Sequence, residues 1–268
     1  MGLTQAFGVI KVKRNGHADA AELSTTELTV HFRGLKALEA VDLTLGRHEI
    51  LGLIGPNGAG KTTMVNAISG FQRPTRGSIR LGSTDVTNWP PHVLARAGVV
   101  RTFQGLRPFR DLTVRQNIEA AAIAVGAGWG EARSRAAELL KAVRLESQAN
   151  MKADALPFGA ERRLGIARAA ATQPTFLLLD EPAAGLSEGE SDQLVELIKS
   201  LRVQLGCGVL IIEHDMRVIM QLCERIQVLD FGHTIFAGSP AEVQTNPAVI
   251  AAYLGSETDD TRAASASS

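Results

Sequence analysis

Gly55-Pro56-Asn57-Gly58-Ala59-Gly60-Lys61-Thr62-Thr63 follows the spacing G-x-x-x-x-G-K-[ST]. Glycines so placed let a backbone wrap closely, with its N–H groups turned inward toward an anion. A lysine closing such a loop reaches the β- and γ-phosphates of a nucleoside triphosphate, and the hydroxyl of the next residue, Thr62, suits Mg²⁺. A second set of candidate groups lies far along the chain, in Phe176-Leu177-Leu178-Leu179-Asp180-Glu181. An acidic pair directly after a buried strand stands where open α/β sheets bind ligands. Asp180 would hold the metal ion, directly or through water, and Glu181 would polarise an attacking water.

Both sets need elements to aim them. Ile50-Leu51-Gly52-Leu53-Ile54 is a short apolar run that predicts a buried strand, and Thr62 to Ser69 predicts a helix closed by Gly70. The helix N-terminus adds partial positive charge beside the loop. Upstream, alternation from Glu27 through Phe32 and the set Leu38, Val41, Leu43 and Leu45 predict two strands, the second with a slip. Ser78 to Leu81 adds another, so the front of the domain is expected to be largely antiparallel. After Pro90-Pro91 the chain turns helical to about Leu156, broken by a short strand from Val99 to Phe103. Thr113 is placed to cap one of these helices, and Glu131 to Val143 forms another. Helices over Gly159 to Ala171, Glu188 to Leu205 and Met216 to Leu222 then alternate with strands at Phe176, Val209 and Ile226. That alternation argues for α/β architecture. A last helix runs through Ala248–Leu254. Residues 1–24 and 255–268 read as a flexible extension and a disordered tail.

Composition narrows the class. The chain has 268 residues, 45% of them apolar, enough for a sizeable core. Lysine plus arginine and aspartate plus glutamate number 28 each, so a basic excess of the kind that marks nucleic-acid binders is missing. Cys207 and Cys223 lie in apolar segments without disulfide or metal spacing, which points to a reducing cytosol. The weakly apolar run from Ala120 to Gly130 is too short to span a bilayer. Work at a membrane would therefore require docking on another chain.

The order of these motifs resembles the ATP-binding subunit of an ABC transporter: a P-loop NTPase core with an antiparallel β subdomain and a helical subdomain. The resemblance covers about Leu23 to Leu254, as a domain over 25–254 with the helical part inserted at about 92–165. It implies ATP and Mg²⁺ as cofactors and assigns further roles. Gln104, after Val100-Arg101-Thr102-Phe103, resembles the family's Q-loop glutamine, which senses the metal and the attacking water. Leu156-Pro157-Phe158-Gly159-Ala160-Glu161 stands at the signature loop, and Ala184-Gly185-Leu186-Ser187 at the D-loop. His214 resembles the switch histidine that contacts the γ-phosphate, and Phe32 stands where an aromatic residue stacks on adenine. Catalysis would rest on Glu181, His214, Gln104 and Lys61. The nucleotide would be held by Phe32, Gly55–Thr63, Phe158 and Gly159, and the metal by Thr62, Gln104 and Asp180.

Pro157 departs from the family's usual serine. It supplies neither a hydroxyl nor an N–H, so the signature loop should lose one contact with the phosphate of the opposite subunit. Signature loops of this kind, with Gly-Val-Val-Arg-Thr-Phe-Gln at 98–104 and Ala-Tyr-Leu-Gly at 252–255, resemble the subgroup that energises branched-chain amino acid uptake. Urea or short-amide uptake and lipopolysaccharide export use similar ATPases. A soluble ABC-type ATPase acting on ribosomes or DNA would carry two cassettes or a long coiled coil, neither of which this sequence has. The implied partners are a second ATPase subunit, identical or paralogous, and integral membrane permease subunits. A periplasmic or extracellular binding protein is implied indirectly, and no nucleic acid. The implied location is the cytoplasmic face of the cell membrane. The docking surface should lie near Gln104 and Leu106–Leu112, where leucine and phenylalanine sit in a loop.

Overall fold

The computed structural model describes residues 20–32, 34–102 and 108–254. Its centre is a six-stranded sheet ordered β10-β9-β3-β8-β7-β6. The strands are β3 (Ile50–Ile54), β6 (Val99–Arg101), β7 (Phe176–Asp180), β8 (Gly208–Ile212), β9 (Arg225–Asp230) and β10 (His233–Gly238). All pairs are parallel except β9 with β10. A four-stranded antiparallel sheet, β2-β1-β4-β5, lies beside it. It is built from β1 (Glu22–Phe32), β2 (Leu35–Gly46), β4 (Arg76–Leu81) and β5 (Thr84–Asp85).

The buried strands separate two cores because neighbouring side chains point to opposite faces. Leu51, Leu53, Phe176 and Leu178 join the antiparallel sheet and helix α1 (Lys61–Ile68) in one cluster. Ile50, Ile54, Leu177 and Leu179 join the other, with α5 (Phe158–Ala171) and α6 (Glu188–Leu205). Helices α3 (Val114–Ala124) and α4 (Trp129–Ala142) extend that second cluster. Two shorter helices complete this side: α2 (Pro91–Arg96) begins at the expected proline boundary, and α7 (Met216–Leu222) is capped by Asp215. Helix α8 (Pro240–Thr245) and a final helix, α9 at 247–254, close the described chain.

Several details differ from the sequence expectation, and β5 and α8 were not expected. Strand β1 begins at Glu22, so residues 22–24, expected in the extension, belong to the sheet. The inward residue Thr25 is polar and donates its hydroxyl to the Val41 carbonyl at 3.1 Å, which hides the apolar alternation. Strand β10 was not expected at all: it is an edge strand whose residues are exposed or half-buried. The short strand expected from Val99 to Phe103 ends at Arg101, with Thr102 already outside it; Phe103 lies outside the described residues.

Candidate functional site

The loop from Gly55 to Gly60 joins central strand β3 to α1. Its shape depends on glycine at two points. At Gly55 (φ 148) an added Cβ would lie 2.0 Å from the Leu229 carbonyl oxygen, and at Gly60 (φ 104) 2.5 Å from that of Ala37. Gly60 is the N-cap of α1 and no side chain caps that end, so the first-turn amides face the loop without a protein side chain on them. The loop is buttressed from outside. Gly232 N donates to Ala59 O at 3.0 Å, and Tyr253 of α9 hydrogen-bonds the Gly55 backbone. Lys61 Nζ donates to the carbonyls of Gly55 at 2.7 Å and Pro56 at 2.8 Å. Burial pushes the Lys61 ammonium below the ordinary lysine range, and the Glu181 carboxylate draws it partly back. Asn57 and Gly58 form the exposed crest of the loop; Thr62 is exposed and Thr63 half-buried.

The acidic pair ends β7. Asp180 is buried, and its Oδ2 lies 2.7 Å from Arg101 Nη2. Glu181 has φ 47, a left-handed backbone uncommon outside glycine, and its amide donates to the Ile212 carbonyl at 2.9 Å. Strands β3, β8 and β7 are neighbours in parallel register, so the loop after β3 and the acidic pair after β7 leave the same edge of the sheet, although the motifs lie more than a hundred residues apart in sequence. His214 follows β8, with its ring largely exposed and Nδ1 3.9 Å from Glu213 Oε2. Glu213 itself is buried. It accepts from the Ala183 amide at 2.6 Å and the His214 amide at 3.2 Å, and burial raises its carboxyl above the usual range.

Phe32 ends β1, paired with Leu35 across the β1–β2 hairpin, and is 43% exposed. Phe158 and Gly159 open α5 behind the N-cap Pro157, again with no side-chain cap. The Phe158 ring lies against Gly185 and under the Arg162 guanidinium at 5.0 Å. A Cβ on Gly159 would meet Glu190 Oε1 at 2.5 Å, so a larger residue there would push the Glu190 carboxylate aside. Gln104 and the residues Leu106 and Arg107 lie outside the described set. The rest of that loop is held by Asn117, fully buried. Its side chain accepts from the Phe109 amide at 2.8 Å and donates to the carbonyls of Phe109 and Thr113, both at 3.0 Å. Phe109 remains 54% exposed, with the Arg168 guanidinium 5.0 Å from its ring.

The donor set fits Mg²⁺. Thr62 offers a hydroxyl and Asp180 a carboxylate, both hard oxygens, beside uncapped helix amides suited to phosphate. Among the described residues no three His, Cys, Asp or Glu side chains cluster into an all-protein metal cage. Three residues at this site carried no assigned role in the sequence: Arg101, Asn117 and Tyr253. Arg101 and Tyr253 act across long stretches of chain and lie in the runs 98–104 and 252–255, which signalled only the subgroup resemblance; Asn117 acts within eight residues and gave no signal.

A family model described as ABC transporter matches residues 38–184, and one described as Branched-chain amino acid ATP-binding cassette transporter matches 233–259. The chain is 44% identical over 248 residues to the high-affinity branched-chain amino acid transport ATP-binding protein LivG of Escherichia coli (strain K12), covering 87% of this chain and 97% of that protein. Among solved structures, the ADP conformation of MJ1267, an ATP-binding cassette of an ABC transporter, superposes with a TM-score of 0.78. It is 28% identical, with 87% of this chain and 98% of that one covered. The dimeric structure of MJ0796, a bacterial ABC transporter cassette, gives a TM-score of 0.74 at 28% identity, with 81% and 98% covered.

Proposed function

Because the chain belongs to the ABC transporter ATP-binding family, we propose that it hydrolyses ATP to energise import of branched-chain amino acids through a membrane permease. The observation that carries this is the parallel pairing of β3, β8 and β7, which brings Lys61, at the head of α1, and Glu181, directly after β7, to one edge of the sheet. Phosphate cradle and acidic pair then share one nucleotide. Lys61 and the α1 amides neutralise phosphate charge. Asp180 and Thr62 hold Mg²⁺, which offsets charge on the phosphate oxygens when bound. Glu181 takes a proton from the attacking water, and His214 and Gln104 steady the γ-phosphate side. Phe32 stacks on the base.

Two copies, or this chain and a paralogue, complete the pocket. The uncapped N-terminus of α5 has Phe158 exposed and Gly159 half-buried, and has the polarity to meet a partner's phosphate. The dimeric MJ0796 cassette supports that arrangement. Among the described residues no helix is long and apolar enough to cross a membrane, so attachment runs through the permease, with the Phe109 loop as the contact. In this reading the cassette spans 22–254 with its helical part at about 92–165, and it works at the cytoplasmic face. The branched-chain cargo rests on LivG and on the matched segment 233–259.

The test is uptake by liposomes holding this chain, its permease and the cognate binding protein. ATP-dependent accumulation of leucine, isoleucine and valine is expected. Uptake of urea or short amides instead, or copurification with a lipopolysaccharide-export permease, overturns the cargo and leaves the ATPase assignment standing.

A further inference from the structure

Arg101 and Asp180 form a buried ion pair that the chemistry outlined above does not use. Their side chains are 6% and 8% exposed, and Nη2 to Oδ2 measures 2.7 Å. The same guanidinium extends in the other direction to α1. Nη1 donates to Asn66 Oδ1 at 2.5 Å and to Ser69 Oγ at 3.4 Å, and the Phe71 ring centroid lies 6.0 Å from its carbon. Asn66 is four residues after Thr62, so both lie on one face of α1. Arg101 therefore joins the two elements that carry the metal-facing oxygens, the hydroxyl at the head of α1 and the carboxylate at the end of β7. Its main chain is fixed as well. Arg101 pairs with Leu178 in parallel register, and the next residue, Thr102, donates its amide to Leu178 O at 2.9 Å.

We infer that Arg101 is a positioning residue for the Mg²⁺ site: it holds one oxygen of Asp180, sets the carboxylate's rotation, and fixes the spacing between Asp180 and Thr62. This rests on Asp180 and Thr62 facing the metal as proposed above. A planar guanidinium grips Asp180 and Asn66 at once through separate nitrogens, whereas a lysine ammonium is a point charge on a flexible stem and cannot bridge them rigidly. Partners of this kind, which orient a metal-ligating carboxylate, typically change metal affinity by about 10- to 100-fold when removed.

The experiment measures Mn²⁺ binding to the full chain saturated with ADP, by electron paramagnetic resonance, and ADP binding in EDTA. Arg101→Lys should weaken Mn²⁺ binding about ten-fold while leaving metal-free ADP affinity unchanged. Asn66→Ala keeps the ion pair but removes its far anchor, and should give a smaller loss of the same kind; it carries the test if Arg101→Lys does not fold. Unchanged or tighter Mn²⁺ binding in the variants overturns the inference, as does a parallel fall in metal-free ADP affinity. Asp180→Asn separates this from the site assignment beneath it. If that variant binds Mn²⁺ normally, the metal site itself is misplaced. If it loses Mn²⁺ while Arg101→Lys does not, only the role of Arg101 fails.

Discussion

The amide of Glu181 donates to the carbonyl of Ile212 at 2.9 Å, tying the end of β7 to the end of β8 and holding Glu181 at φ 47. A non-glycine residue persists in that conformation only when its surroundings over-determine it. The bond fixes the backbone, so the carboxylate is aimed rather than left to wander. Glu181→Gln keeps shape and hydrogen-bonding reach but removes the base. ATP binding should be retained while turnover falls by about 10²- to 10⁴-fold, the usual contribution of a general base. Phosphate release set against nucleotide-binding fluorescence checks it, and a wild-type hydrolysis rate in the variant counts against Glu181.

Lys61→Ala should do the opposite. Its ammonium bonds the loop carbonyls of Gly55 and Pro56 and lies where phosphate charge would collect. Loss of nucleotide affinity itself is expected, seen as a raised Kd for ATP by equilibrium binding. An unchanged Kd would contradict the cradle.

The pH dependence of stability should carry a signature of Glu213. Burial raises its carboxyl from the ordinary 4.5, so the folded state holds this proton more tightly than the unfolded chain does. That contribution to stability is complete below pH 4.5 and is lost as pH climbs through the raised folded value. Glu213→Gln cannot titrate, so relative to wild type it should gain stability between pH 5 and pH 8. Urea unfolding at both pH values reads the difference, and a gap that does not move with pH rejects the idea.

Much of this arrangement was legible in the sequence because the parallel strands are buried on both faces. Ile50–Ile54 and Phe176–Leu179 are unbroken apolar runs, and each delivers its motif at its C-terminal end. The Thr113 cap was legible as well, and Gln116 completes the box by bonding back to the Thr113 amide at 2.9 Å. Helix α8 escaped although Ser239, Pro240 and Glu242 form a local capping signal; the rest of what escaped had none. Strand β10 lies at a sheet edge and lacks an inward apolar row. Arg101 meets Asp180 and Asn66 across separations of 79 and 35 residues, so only the folded sheet shows what it holds.

Cys207 and Cys223 should be inert in the folded protein. Both thiols are buried, and burial pushes each up to about 12, so thiolate is scarce at neutral pH. A chromogenic disulfide reagent at pH 8 should release no product within minutes from the native chain and two equivalents after unfolding in guanidinium. Rapid native labelling would show that one of these segments opens.

Asn117→Ala should separate hydrolysis from coupling. Three of its hydrogen bonds hold the backbone on which Phe109 is displayed, and their loss should cost roughly 1–3 kcal/mol of stability. Basal ATP hydrolysis is expected to survive, while stimulation by the permease falls. Equal stimulation of variant and wild type would place the contact elsewhere.

The placement of β3 also bears on how the protein is made. Its two sheet neighbours, β8 and β9, begin at Gly208 and Arg225, more than 150 residues later in the chain. A ribosome therefore releases Gly55–Thr63 long before anything exists to hold that strand on either side. Ligand cannot chaperone the early nascent chain, and translation must run past residue 228 before nucleotide has a finished cradle to occupy.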